Sequence, residues 1–185
     1  MQISFTSRIV PVGLSEFSKQ TSSYCRDNFV DYPWTVATSR IAKDVFTTEV
    51  CDCNALLLTD GQKALLMHLN PQIEANHKFS NVTNFIENNM NVYDKNIQAV
   101  LIGSKPEKES QDIFNKFEKY LKSRYIPTTI LKNGKGPTHI AYRTSKDEVL
   151  VSNITINTQL LFEKNPLKIL KKSFEKVFVS ECDTV

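Results

Sequence analysis

Cys53, His68 and Thr47 are the residues whose types and spacing suggest chemistry. The histidine follows the cysteine by fifteen positions and the threonine precedes it by six. A thiol with its ordinary pKa of about 8.5 is mostly protonated at neutral pH and needs a base within hydrogen-bond reach. An imidazole can take that proton and later deliver it to a leaving group. The hydroxyl or the backbone carbonyl of Thr47 can fix the imidazole tautomer, the third role in a triad. Asp52 and Asp60 are carboxylate alternatives for that role.

Sequence distance becomes proximity only if a local element folds the segment back. Asn54 to Leu58 is an apolar, β-compatible run; Thr59-Asp60-Gly61-Gln62 follows, then the apolar run Ala64 to Leu69. Asp-Gly between two such runs is a strong hairpin signal, because glycine accepts positive φ at the turn. With the turn centred near residues 60 and 61, Cys53 is expected opposite a position near 68. Opposed Cβ atoms of antiparallel strands lie roughly 4.5–5.5 Å apart. Continuous apolar runs, without alternation, predict strands covered on both faces.

Other residues compete for the same roles. Cys51 is the second candidate nucleophile and would share a strand face with Cys53. Cys51-x-Cys53 also suits a redox pair or half of a metal site, but no second pair at zinc-ligand spacing follows, and no metal is expected. His77 reads as a solvated loop residue. His139 would line the site only if a second hairpin packs near the first. Asn70 offers a substrate amide a hydrogen bond or caps a turn. Gln72 and Trp34 are rim candidates. Lys168, Lys171, Lys172 and Lys176 read as a solvated helix face.

The elements expected around the hairpin mix strands and helices. Arg8 to Gly13 reads as a short strand, Leu14 to Asp27 as helical, and Asp31 to Arg40 as loop. Ser80 to Met90 reads as a helix capped by Ser80, with Val82, Phe85, Ile86 and Met90 on one face. Gln98 to Gly103 is a buried strand. Pro106 to Arg124 is the best helix, with Pro106 in its first turn and Ile113, Phe114, Phe117 and Leu121 as its stripe. Ile126 to Leu131 is a strand and Asn133 to Gly136 a turn. His139 to Arg143 and Glu148 to Ser152 form a second hairpin. Pro166 to Phe178 is a basic amphipathic helix. The pattern predicts an α/β (α+β) protein, with a layered, sandwich-like β core and flanking helices.

A chain of 185 residues suits one domain, with a C-terminal helical extension over 154–185. The net charge of +3 does not argue for nucleic acid. No signal peptide is evident, and no apolar run reaches the roughly 18 residues of a membrane span. Four cysteines in a chain this long predict reduced thiols rather than a disulfide scaffold.

The stretch TTEVCDCNALLLTDGQKALLMHLNP resembles the core motif of the CheD chemoreceptor glutamine deamidases and, in the same way, the catalytic domains of cytotoxic necrotizing factors. Those enzymes share a threonine, five residues, a cysteine, an apolar strand, an Asp-led turn, then a histidine followed shortly by proline. Here these are Thr47, Cys53, Ala55 to Leu58, Asp60, His68 and Pro71. Where CheD carries Leu-Gly-Ser-Cys, this chain has Val50-Cys51-Asp52-Cys53, and its Cys-to-His separation is closer to the toxin pattern. The order of elements from Gln98 to Ser152 is similar to the second half of CheD. The resemblance covers a core of roughly residues 45–153, and residues 1–40 and 154–185 have no counterpart in it.

The resemblance implies a cysteine amidohydrolase that deamidates a glutamine (or asparagine) side chain of a target protein through Cys53, His68 and Thr47, with no cofactor. Its expected place is the cytoplasm, or a host cytosol if the protein is a secreted effector. Another thiol hydrolase or a transglutaminase on the same fold, and an inactive protein-interaction module, are the alternatives.

Overall fold

The computed structural model describes residues 7–24, 28–30, 38–73, 79–103, 105–133 and 136–155. In chain order the elements are β1 (Arg8–Pro11), α1 (Leu14–Thr21), β2 (Thr38–Ala42), β3 (Asp44–Val50), β4 (Asn54–Thr59), β5 (Ala64–Leu69), α2 (Phe79–Asn89), β6 (Gln98–Gly103), α3 (Lys108–Ser123), β7 (Thr128–Asn133), β8 (Thr138–Arg143), β9 (Glu148–Ser152) and β10 (Ile154–Thr155). The strands form two sheets, ordered β1-β9-β8-β3 and β10-β7-β6-β4-β5-β2.

Alternation along the central strands builds the layers. Ala55 and Leu57 of β4, Ala64 and Leu66 of β5, and Val100 and Ile102 of β6 pack against Val45, Ile140, Tyr142, Val149 and Val151 of the other sheet. Their neighbours Leu56, Leu58, Leu65, Met67, Leu69 and Leu101 turn the opposite way and bury the apolar stripes of α2 and α3. The outer face of the four-stranded sheet is covered by α1 through Phe17, Ala141 and Leu150. The result is an α+β arrangement in which two packed sheets lie between helices. Both faces of β4, β5 and β6 are buried, which is why these strands read as continuous apolar runs.

Several expectations shift. Residues 38–40, read as loop, belong to β2, and β3 follows after Lys43 alone, so one chain segment passes from the edge of one sheet to the edge of the other. These strands mix polar with apolar residues and are only partly buried, so an apolar-run reading misses them. Phe85 lies on the solvent side of α2, while Val82, Ile86 and Met90 are buried as expected. Ser80 sits inside the first turn of α2 rather than capping it. The stripe of α3 is buried throughout, but the helix starts at Lys108, leaving Pro106 before it. The strand expected from Ile126 begins at Thr128. The basic helix expected at Pro166 to Phe178 lies outside the described residues.

The first hairpin forms, with its turn centred about one residue later than expected. Asp60 Oδ1 accepts from the backbone N–H of Gln62 (2.9 Å) and of Lys63 (3.0 Å), and Thr59 Oγ1 accepts from Gly61 N (3.0 Å) while donating to Lys63 O (2.9 Å). Gly61 takes φ 87°, the left-handed region where glycine alone is unstrained. Asp60 to Lys63 thus form a four-residue loop, and the register pairs Ala55, not Cys53, with His68. A shift of two residues preserves the face each side chain occupies.

At the opposite end of the hairpin, Gly103 has φ 150°, and a Cβ there would lie 1.8 Å from Asn54 Oδ1. Asn54 Nδ2 in turn donates to Ser110 O (3.0 Å), tying the start of β4 to α3. Gly103→Ala is therefore expected to destabilise the protein by about 1–3 kcal/mol, as overpacking does elsewhere; urea unfolding monitored by circular dichroism measures it.

Candidate functional site

His68 projects from β5 into the space between the sheets, following Ala64 and Leu66 along the same face. Thr47 projects from β3 of the other sheet into the same space, following Val45. Both are fully buried. Their polar atoms meet there: Thr47 Oγ1 lies 2.8 Å from His68 Nδ1. The hydrogen bond joins the two sheets, so it exists only because the layers pack.

The direction of this bond follows from a third partner. Thr47 Oγ1 also lies 2.7 Å from the carbonyl oxygen of Val30. A carbonyl only accepts, so the single hydroxyl hydrogen of Thr47 goes to Val30. Thr47 must then accept from His68, which places a proton on Nδ1. In a neutral imidazole this leaves Nε2 with the lone pair. Nε2 is the nitrogen able to act as a base. Val30 is itself held by its backbone N–H, which donates to Phe46 O (2.8 Å).

Cys53 precedes β4 by one residue and is 6% exposed. It belongs to the same inter-sheet cluster as Ala55, Leu57 and Leu66. Ala55 lies directly opposite His68, and Cys53 lies two residues before Ala55, just ahead of the strand. Thr47 and His68 thus meet from separate sheets in the inter-sheet space, and Cys53 belongs to the cluster that lines it.

The approach to Cys53 is built by a bulge. The β3–β8 register shifts between Thr47 and Val50, and Glu49 takes φ 58°, a sparsely populated region for a side-chain-bearing residue. The extra residue lets both Thr47 and Val50 face inward, and bulges commonly re-aim side chains beside active sites. Residues 51–53 then bend rather than continue the strand. Cys51 and Cys53 therefore do not alternate along a strand as expected. Asn133 Nδ2 donates to Cys51 O (2.8 Å), anchoring the bend to β7. Cys51 and Cys53 are both thiols. Burial pushes the Cys51 thiol up, with Lys105 acting in the opposite sense.

The remaining candidates fall elsewhere. Asp60 caps the far turn of the hairpin. Asp52 is largely exposed and faces Lys105 Nζ at 3.6 Å. Asn70 Oδ1 accepts from Gln72 N (2.7 Å), so it caps a turn and draws Gln72 into it. His139 shares a face of β8 with Ala141, on the α1 side, where its ring lies 5.6 Å from that of Phe17; it does not line the space holding His68. His77, Trp34, Cys25, Cys182 and the C-terminal lysines lie outside the described residues. Sequence reasoning missed Val30 and Asn133. Val30 acts through a carbonyl that any residue could present, so no residue type signals it; Asn133 was read only as the start of a turn. Among the described residues no three His, Cys, Asp or Glu side chains gather as a metal-binding group, and no helix is long and apolar enough to cross a membrane.

His139 carries a separate expectation. Burial holds its pKa below the ordinary value of 6.5, and Nδ1 accepts from Glu49 N (3.4 Å). The unfolded state therefore binds the proton more readily. Its contribution to stability is present above about pH 6.5 and is lost as the pH falls toward the lowered folded value. Thermal melts between pH 7.5 and pH 5 are expected to show a decline that His139→Gln flattens.

No family model matches this chain, and no curated protein matches it.

Proposed function

We propose that this protein is a cysteine hydrolase that deamidates a glutamine or asparagine side chain of a protein, with Cys53 as nucleophile, His68 as base and acid, and Thr47 as the residue that orients His68. The observation carrying the reading is the chain from Val30 O through Thr47 Oγ1 to His68 Nδ1, because it leaves Nε2 as the basic nitrogen on the side of the imidazole away from Thr47. In this reading His68 Nε2 takes the Cys53 proton and the thiolate attacks the amide carbon. An S–C bond forms, backbone N–H groups near Cys53 hold the oxyanion, and His68 returns the proton to nitrogen as the C–N bond breaks and ammonia leaves. Water, deprotonated by His68, then hydrolyses the thioester to a carboxylic acid and restores the thiol.

Burial supports a side chain over a main-chain amide as the substrate. Thr47 and His68 are fully enclosed, and only Cys53 reaches the surface, so a slender carboxamide suits the approach better than an extended backbone. The same reading includes the finer likeness to CheD and the necrotizing-factor catalytic domains in fold and site, and a reducing cytosol as the place of action. The test is incubation of the protein with a proteome extract, followed by ammonia assay and peptide mass mapping. A mass gain of about one dalton at particular glutamine or asparagine residues is expected. Amine incorporation instead would indicate a transglutaminase, and new chain termini a protease.

A further inference from the structure

Asn133 ends β7 on the same face as Leu131, which packs between the sheets. Its Nδ2 is spoken for by the Cys51 carbonyl at 2.8 Å. Because a carbonyl requires a donor, this contact fixes the amide orientation, with nitrogen toward Cys51 and oxygen away from it. Asn133 Oδ1 is buried and has no hydrogen-bond partner among the described residues. A buried acceptor left without a donor is unfavourable, and native proteins rarely keep one without a reason. This acceptor belongs to a side chain that grips the bend carrying Cys53, two residues from the thiol.

Resting on the cysteine-hydrolase reading, we infer that Asn133 is a specificity-determining residue whose Oδ1 accepts an N–H of the substrate carboxamide. The chemistry matches the chemical class: a primary carboxamide has two N–H donors beside the carbon under attack, whereas an ester of the same shape has none. A site that provides an acceptor for such a donor rejects the analogue lacking it, since the buried acceptor is then left unpaired. The same side chain thus couples recognition to the nucleophile, its nitrogen holding the loop and its oxygen meeting the leaving amide.

Iodoacetamide and methyl iodoacetate test this without a known substrate. Both alkylate a thiolate by displacing iodide, and they differ in carrying an amide or an ester. Their rates at Cys53 are measured by peptide mass mapping at neutral pH in the full-length Cys51→Ala protein, with glutathione supplying the intrinsic amide-to-ester ratio. The expected result is an amide preference at Cys53 about three- to tenfold above that of glutathione, the worth of one neutral hydrogen bond. Asn133→Ala is expected to bring the ratio down to the glutathione value, whatever it does to both rates together through the loop. A ratio at Cys53 equal to that of glutathione before any change at Asn133 overturns the inference and leaves the hydrolase reading standing, as does a preference that survives Asn133→Ala. A Cys53 that reacts with neither reagent overturns the nucleophile assignment and this inference with it.

Discussion

Cys53→Ala is expected to abolish ammonia release, lowering the rate on the order of 10⁴–10⁶-fold as loss of a catalytic nucleophile does elsewhere, while Cys51→Ala retains activity within about threefold. The two cysteines are separated by a single residue, but the fold treats them differently. Cys53 joins the inter-sheet cluster with Ala55 and Leu57, on the face His68 occupies. Cys51 lies in the bend, half-buried, outside that cluster, and burial pushes its thiol up. Mass mapping of a deamidated target gives the readout, and matched melting temperatures for both variants exclude misfolding as the cause. Full activity in Cys53→Ala would overturn the assignment. Activity lost in Cys51→Ala and kept in Cys53→Ala would move the nucleophile to Cys51.

Thr47→Val is expected to lower kcat by about 10–100-fold, the range seen when the partner that orients a functional histidine is removed. Valine matches threonine in shape but cannot accept from His68 Nδ1 or donate to Val30 O. The imidazole then no longer has a fixed tautomer, and the Val30 carbonyl loses its donor. Thr47 lies behind His68 and is fully buried, so KM is expected to change little, the pattern of an interaction that matters chiefly in the transition state. Thr47→Ser keeps the hydroxyl and is expected to recover most of the rate. Nitrogen chemical shifts of His68 supply a readout that packing alone would not move: the proton should sit on Nδ1 in the parent protein and in Thr47→Ser, and be redistributed in Thr47→Val. A proton found on Nε2 in the parent protein would contradict the direction assigned to the Thr47–His68 bond.

Much of the framework is legible residue by residue. Leu56 to Leu58 and Leu65 to Met67 announce buried strands because both faces of the six-stranded sheet are covered, one by the second sheet and one by α2 and α3. Ile113, Phe114, Phe117 and Leu121 announce α3 because a single apolar stripe is all that a helix on the outside of a sheet must bury. The strands β2 and β3 give no such signal. They lie at sheet edges, where one side of the strand has no strand partner and local composition does not distinguish strand from loop.

The candidate site divides along the same line. The hairpin that carries His68 opposite the start of β4 is legible from the Asp60-Gly61 turn between two apolar runs, and an even shift of register leaves faces unchanged. The register was not legible, because the hydrogen bonds of Thr59 and Asp60 close a loop over Asp60 to Lys63 and move the turn centre between Gly61 and Gln62. What stands behind His68 depends on how the sheets pack. Thr47 reaches it from another sheet, and Val30 O sets the direction of the hydrogen bond. Asn133 grips the cysteine bend from a strand 82 residues further along the chain. Hairpin pairing is a local property of turn and pattern, whereas the orientation of an imidazole depends on which hydrogen-bonding groups the packing of two sheets brings to it.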